Sequence, residues 1–258
     1  MIDTHCHIFD EVFDNDRQEV ISRAKEVGVA YMLMPNVDKS TYGPMMNVAR
    51  LFPEYCIPMI GIHPTSIEDN LDEELSFLEQ AIAEQPPNTF CAIGEVGIDC
   101  YWSKEYIENQ KIAFREQIGI AERMNLPIVI HARNSFNEIF DVLRDLKPNV
   151  RGVFHAYSGS METYHEIKRL GNYKLGIGGV VTFKNAKLPE VIAQVPIEDI
   201  ILETDAPYLT PAPYRGKRNE SAYLELIVQK IAEAKNMPME TIKEVTTANA
   251  KSLFTTLA

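Results

Sequence analysis

The sequence predicts an α/β fold, a single-domain (β/α)8 barrel with parallel strands inside and helices outside. Three observations carry this. Eight short runs rich in Val and Ile recur along the chain, each followed by a helical pattern. Several of the runs are nearly continuous in apolar character, as strands buried on both faces of a parallel sheet are. The 258 residues hold eight such units, which matches the roughly 250 residues of a closed barrel. A doubly wound open sheet is the other arrangement that this alternation permits. No linker, low-complexity tract or shift of composition divides residues 1–258, and no fixed-period repeat is present, so one domain is expected.

The predicted strands are residues 2–7, 29–36, 57–63, 91–98, 128–132, 152–157, 174–181 and 200–205. Helices are expected at 17–26, 73–84, 106–124, 136–145, 161–170, 223–234 and 239–253. The longest, 106–124, places Ile107, Ala113, Phe114, Ile118 and Ala121 at mostly helical spacing. Pro127 separates that helix from the strand after it, because the residue before a proline avoids helical geometry.

Composition narrows the function classes. The chain is 45% hydrophobic and 24% charged, ordinary for a folded soluble protein. No segment approaches the roughly 20 apolar residues of a membrane span. Asp3 and His5 interrupt any leader-like run at the N-terminus, so a cytoplasmic location is expected. Cys6, Cys56, Cys91 and Cys100 form no CxxC pair and read as buried free thiols, with Cys6 packing into the core. The formal net charge of -12 is the wrong sign for broad electrostatic capture of nucleic acid. It does not exclude a phosphate substrate, since bound cations supply positive charge locally.

Ionisable residues recur where the apolar runs end. The first run carries His5 and His7, whose side chains share a strand face about 7 Å apart at Cα. Later runs carry His63, Glu95, His131, His155 and Asp205. Five of the six histidines sit in these places; the sixth, His165, lies in a polar helical stretch and reads as a surface residue. In a parallel barrel the C-terminal strand ends converge on one mouth, so these side chains would meet there. His5, His7, Glu95, His131, His155 and Asp205 form a mixed nitrogen and oxygen set suited to Zn, Mn, Ni or Fe and able to admit Mg. Four imidazoles and two carboxylates exceed what one tetrahedral cation needs, whereas two divalent cations bridged by Glu95 would use them all.

The chain resembles the TatD family of metal-dependent deoxyribonucleases, within the amidohydrolase-like TIM barrels. The matching words are IDTHCH, GIHP, GEVGIDCYW, QKIAFREQIGIAERMNLPIVIHAR, HAYSGS and ETDAPYLTPAPYRGKRNE, running in the family's order from residue 2 to residue 220. The resemblance implies that His5, His7, Glu95 and Asp205 hold one metal, and that Glu95, His131 and His155 hold a second. It marks His63 as a phosphate contact near the metals and Arg133, Arg215, Lys217 and Arg218 as substrate-side residues. Two words depart from the family. Arg218-Asn219-Glu220 is followed by Ser221 where the family usually has proline, which leaves the next helix start less rigid unless Ser221 caps it. The other is Cys100-Tyr101-Trp102, whose Trp102 offers a flat face for a base or sugar, or for packing as a lid.

The expected activity is divalent-metal-dependent hydrolysis of phosphoester bonds, with DNA ends or single strands as substrate and 3′–5′ exonuclease action. Asp205 is the expected general base and Glu95 the second catalytic carboxylate. Glu203 is expected either to orient Asp205's neighbours or a ligating histidine as an acceptor, or to be a buried carboxylate paired with a barrel lysine or arginine. The other reading is a two-metal barrel hydrolase of an amide, ester or lactone. No protein partner is evident from sequence.

Overall fold

The computed structural model describes residues 1–257. Eight parallel strands follow one another in chain order. Strands β1 (Ile2–Asp3), β2 (Tyr31–Met34) and β3 (Cys56–Pro58) form one ladder, and β4 (Ile93–Asp99), β5 (Ile128–Arg133), β6 (Gly152–Phe154), β7 (Tyr173–Ile177) and β8 (Ile200–Leu202) form the next. Backbone hydrogen bonds carry the ring across both gaps. Between β3 and β4, Cys91 N donates to Pro58 O at 3.1 Å and Gly94 N to Ile60 O at 2.8 Å. Between β8 and β1, Thr4 N donates to Leu202 O at 3.0 Å, Asp205 N to His5 O at 2.9 Å and His7 N to Ala206 O at 2.7 Å.

Outside this ring lie α1 (Arg17–Glu26), α2 (Lys39–Leu51), α3 (Leu71–Ala83), α4 (Ile107–Met124), α5 (Phe136–Leu146), α6 (Met161–Leu170), α7 (Leu188–Gln194), α8 (Leu224–Lys235) and α9 (Met239–Leu253). Their ends follow local chemistry. Asp38 accepts from Ser40 N and Thr41 N to open α2, and Ser160 accepts from Thr163 N to open α6. Asn125, Lys147 and Asn236 stop α4, α5 and α8 in the left-handed conformation. Helix α2 was not among the expected helices, because Gly43 and Pro44 interrupt its pattern; packing overrides that local preference. Helix α7 escapes pattern reading because it has seven residues and Pro189 near its start. No helix among the described residues is long and apolar enough to cross a membrane.

The core divides by strand parity. Ile2, Leu33, Met59, Val129, Val153 and Ile201 form one buried cluster with Leu253 and Phe254, the end of α9, closing it. Their strand neighbours Met32, Met34, Ile128, Ile130, Phe154, Ile200 and Leu202 belong to the larger cluster shared with the surrounding helices. The barrel interior is therefore plugged with apolar side chains at one end, and function is left to the other.

Candidate metal centre

Counting by twos along the strands leads from the apolar plug to the polar mouth. Val129 is followed on the same face by His131 and Arg133, Val153 by His155, Met59 by His63 four residues on, and Ile201 by Glu203 and Asp205. The ladder continues past the formal strand ends, with His155 N donating to Ile130 O at 3.0 Å. The first segment differs, because the interior face passes from Ile2 to His5 at odd spacing where β1 gives way to an irregular stretch. Cys6 N pairs with Leu33 O of β2 while His5 and His7 pair with Asp205 and Ala206, just beyond β8. Cys6 accordingly packs in the outer core, and the His5 and His7 rings lie 5.2 Å apart between centroids.

Glu95 reaches the interior differently. The β4–β5 register shifts between Ile93 and Val96, after which Gly97 pairs with His131 and Asp99 with Arg133. Glu95, Gly97 and Asp99 then share the face of their β5 partners. Gly97 has φ +138°, and a methyl group there would overlap the His131 carbonyl oxygen, so only glycine lets these strands approach.

Glu95 is the hub of the site. Its Oε1 lies 2.8 Å from His131 Nδ1, 2.8 Å from His155 Nε2 and 3.5 Å from His63 Nε2. Its Oε2 lies 3.2 Å from His5 Nε2. Asp205 Oδ1 is 3.7 Å from His5 Nε2 and 3.6 Å from His7 Nε2. The rings of His5 and His155 stack at 3.9 Å. All six residues expected as ligands therefore converge. Three groups have donor atoms close enough to share a cation: His5, His7 and Asp205; His5, His155 and Glu203; and His63, Glu95 and His131. His63 thus stands among the possible ligands, although sequence marked it only for phosphate.

Electrostatics keeps the carboxylates ionised. Burial pushes Glu95 up, but His155, His63 and His5 outweigh it and hold the carboxyl well below its usual range. Burial also opposes ionisation of Asp205, and His7, His155 and His5 reverse the sign. Burial lowers His155 less than Glu95 and Glu203 raise it, so it rises well above an ordinary imidazole. His131 also rises, because Asp99 and Glu95 overcome its burial. His5 and His63 fall, chiefly through burial, and favour the neutral form that ligates cations.

The donor set fits a divalent metal on an observation of the side chains themselves. His5 is fully buried, yet neither ring nitrogen has a hydrogen-bond partner among the described residues. Nε2 lies 3.2 Å from Glu95 Oε2 without forming a hydrogen bond. His155 Nδ1 and Glu203 Oε2 are likewise unpartnered. Orphaned buried polar atoms are costly, and these converge as coordinating atoms do.

Around this floor lies a cavity of about 770 Å³, walled in part by Phe9, Trp102, Arg133, Tyr208 and Leu209. Of the expected substrate-side residues, His63 and Arg133 border it. Arg218 does not: it pairs with Asp16 at 2.6 and 2.8 Å and lies over the Phe13 ring. Arg215 lies over Phe183 and donates to Thr210 O, and Lys217 stands exposed near Tyr214; neither borders the cavity. Glu203 accepts from Ala156 N at 2.5 Å, and its Oε1 lies 3.4 Å from His155 Nδ1. Ser221 does not cap a helix. It is buried at the start of a short 3-10 turn, and its side chain interacts with Asp3. The loop is instead held by Arg23–Glu220, by Arg218–Asp16 and by Asn219 Nδ2 on the carbonyls of Thr204 and Tyr208. Sequence reading passed over Asp99, whose Oδ2 lies 2.8 Å from His131 Nε2. Its place four residues after Glu95 on one strand face was the available signal.

A model of the TatD related DNase family matches residues 2–255. The chain is 39% identical over 256 residues to YabD of Bacillus subtilis, an uncharacterized metal-dependent hydrolase, covering 98% of each. It is 30% identical over 255 residues to the metal-dependent hydrolase YjjV of Escherichia coli, covering 98% of this chain and 97% of YjjV. The crystal structure of that TatD homologue superposes with a TM-score of 0.91 over 99% of this chain and 98% of the other, at 28% identity. A TatD family hydrolase of Entamoeba histolytica shares the fold, with a TM-score of 0.82 over 98% of this chain and 97% of that one at 21% identity.

Proposed function

This chain belongs to the TatD related DNase family of metal-dependent hydrolases, and from that premise we propose that it hydrolyses phosphoester bonds in DNA, shortening single strands or frayed ends from the 3′ side. The carrying observation is the position of Glu95, one carboxylate oxygen facing His131, His155 and His63 and the other facing His5. We assign His5, His7, Glu95 and Asp205 to one divalent cation and Glu95, His131 and His155 to a second. Cations bound there would polarise a phosphoryl oxygen and lower the pKa of water.

The chain's own groups do the rest. Asp205 is ionised, borders the cavity and takes the proton of the attacking water as general base. Glu203 Oε1 faces the far ring nitrogen of His155 at 3.4 Å and would orient that ring with metal at Nε2. His63 and Arg133 border the cavity and contact phosphate oxygens. Arg133 has no carboxylate partner among the described residues, whereas Arg218 is neutralised by Asp16. Arg215 and Lys217 remain candidates only for strand beyond the cavity. The net charge of -12 disfavours a long duplex footprint and favours a short strand end threaded into the mouth.

The test is a digestion ladder on a 5′-labelled single-stranded oligonucleotide, beside a phosphomonoester and a lactone. We expect stepwise 3′ shortening that stops on chelation and returns with divalent metal. Asp205→Asn should stay folded and lose about 100- to 10,000-fold in rate. Lactone turnover without shortening, or shortening that survives verified metal removal, would overturn the proposal.

A further inference from the structure

We propose that Asp99 is a positioning residue that fixes the His131 ring and ties it to the Tyr101–Trp102 turn at the cavity mouth, so that metal at His131 is felt at Trp102. The inference rests on the metal-centre reading above.

Asp99 ends β4 and is nearly fully buried. Its two carboxylate oxygens do different things. Oδ2 lies 2.8 Å from His131 Nε2. Oδ1 accepts from Tyr101 N at 2.8 Å and from Trp102 N at 3.2 Å. Its own N–H donates to Gln110 Oε1 of α4 at 2.9 Å, which pins the backbone from behind. Ionised carboxylates only accept, so without metal the ring donates from Nε2 to Asp99 and from Nδ1 to Glu95 Oε1 at 2.8 Å. With Asp99 keeping the Nε2 proton in place, Nδ1 is the atom that would turn a lone pair to a cation. Orienting a ligating histidine through its far nitrogen fixes both tautomer and ring plane. Here the acceptor is also the anchor of the mouth.

A second connection runs the same way. Arg133 is two residues beyond His131 on β5, and its guanidinium lies 3.8 Å over the Tyr101 ring and 5.2 Å from the Trp102 ring. The ligand strand therefore grips the turn twice, once through Asp99 and once through Arg133. Trp102 is 70% exposed and borders the cavity. As the only tryptophan in the chain, it reports this turn alone in fluorescence.

Two variants separate the connections. Asp99→Asn keeps an oxygen for the Tyr101 and Trp102 amides but turns an N–H toward His131 Nε2, moving the ring proton to Nδ1. Asp99→Ala removes both anchors. Chelated proteins would be titrated with Zn(II) by calorimetry while Trp102 emission and its acrylamide quenching are followed. In the wild type, Zn(II) should bind and shift Trp102 emission. Asp99→Asn should bind Zn(II) about 10- to 100-fold more weakly, with the Trp102 emission of its chelated form unchanged. Asp99→Ala should leave Trp102 more quenchable and unresponsive at saturating Zn(II). Wild-type affinity in Asp99→Asn, or a wild-type Trp102 response in saturated Asp99→Ala, would overturn the coupling alone. Should Asp99→Ala fail to fold, the Asn variant decides. Absence of Zn(II) binding by the wild type would remove the metal-centre reading and this proposal together.

Discussion

Glu95 is a buried carboxylate that stays charged because imidazoles surround it, and each of those imidazoles is shaped by the same contact. The consequence is a pH dependence of metal uptake. His155 is raised well above an ordinary imidazole by Glu95 and Glu203, so the chelated protein holds a proton there at neutral pH. A cation takes the place of that proton, so binding releases it, and apparent affinity climbs as pH rises through the neutral range. We expect calorimetric Zn(II) titrations to release protons, seen as heats that scale with buffer ionisation enthalpy, and to weaken from pH 8 to pH 6. Buffer-independent heats and constant affinity would show that His155 is neutral before metal arrives.

At the scale of strands and helices, the site is an exercise in parity, and that is why much of it could be read in advance. His131, His155 and Asp205 each follow an apolar interior residue at even spacing, so counting by twos from Val129, Val153 and Ile201 finds them. His5 and His7 were legible as a pair two residues apart on one face, although Ile2, three residues before His5, does not lead to them by even spacing. Glu95 was legible from its neighbours but not from parity, because the shift in β4 register has no marker in residue type. Asp99 was missed because a carboxylate after a strand resembles any cap or turn residue until His131 is seen beside it. The basic residues after β8 misled in the other direction. Charge on a loop says nothing of direction, and Arg218 points away to Asp16. Helix α2 hid behind Gly43 and Pro44. Two glycines give a paired check on this scale. Gly97→Ala meets the His131 carbonyl at positive φ and should cost about 1–3 kcal/mol, the range for overpacking, with weaker metal binding. Gly119→Ala, inside α4, meets only the end of the Arg123 side chain at 3.7 Å and should stabilise by roughly 0.5–1 kcal/mol. Equal melting temperatures for the two variants would contradict the role given to Gly97.

For the whole molecule, the barrel separates stability from chemistry. Leu253 and Phe254 close the apolar end, while the far end gathers donors from β1, β4, β5, β6 and β8 that the chain spreads across about 200 residues. The seam between β8 and β1 matters to both halves. Asp3 accepts from Thr204 N at 2.9 Å and from Thr204 Oγ1 at 2.6 Å, next to the pairing that places His5 and Asp205 together. On the proposed function, cations held at that mouth would give an otherwise acidic body its local site for phosphate. The measurement closest to this account is metal stoichiometry by elemental analysis of reconstituted, dialysed wild type and Glu95→Gln, with circular dichroism confirming that both are folded. About two equivalents per wild-type chain are expected, as two-metal sites hold, and less than about one in the variant. Full loading of Glu95→Gln, or none in the wild type, would contradict it.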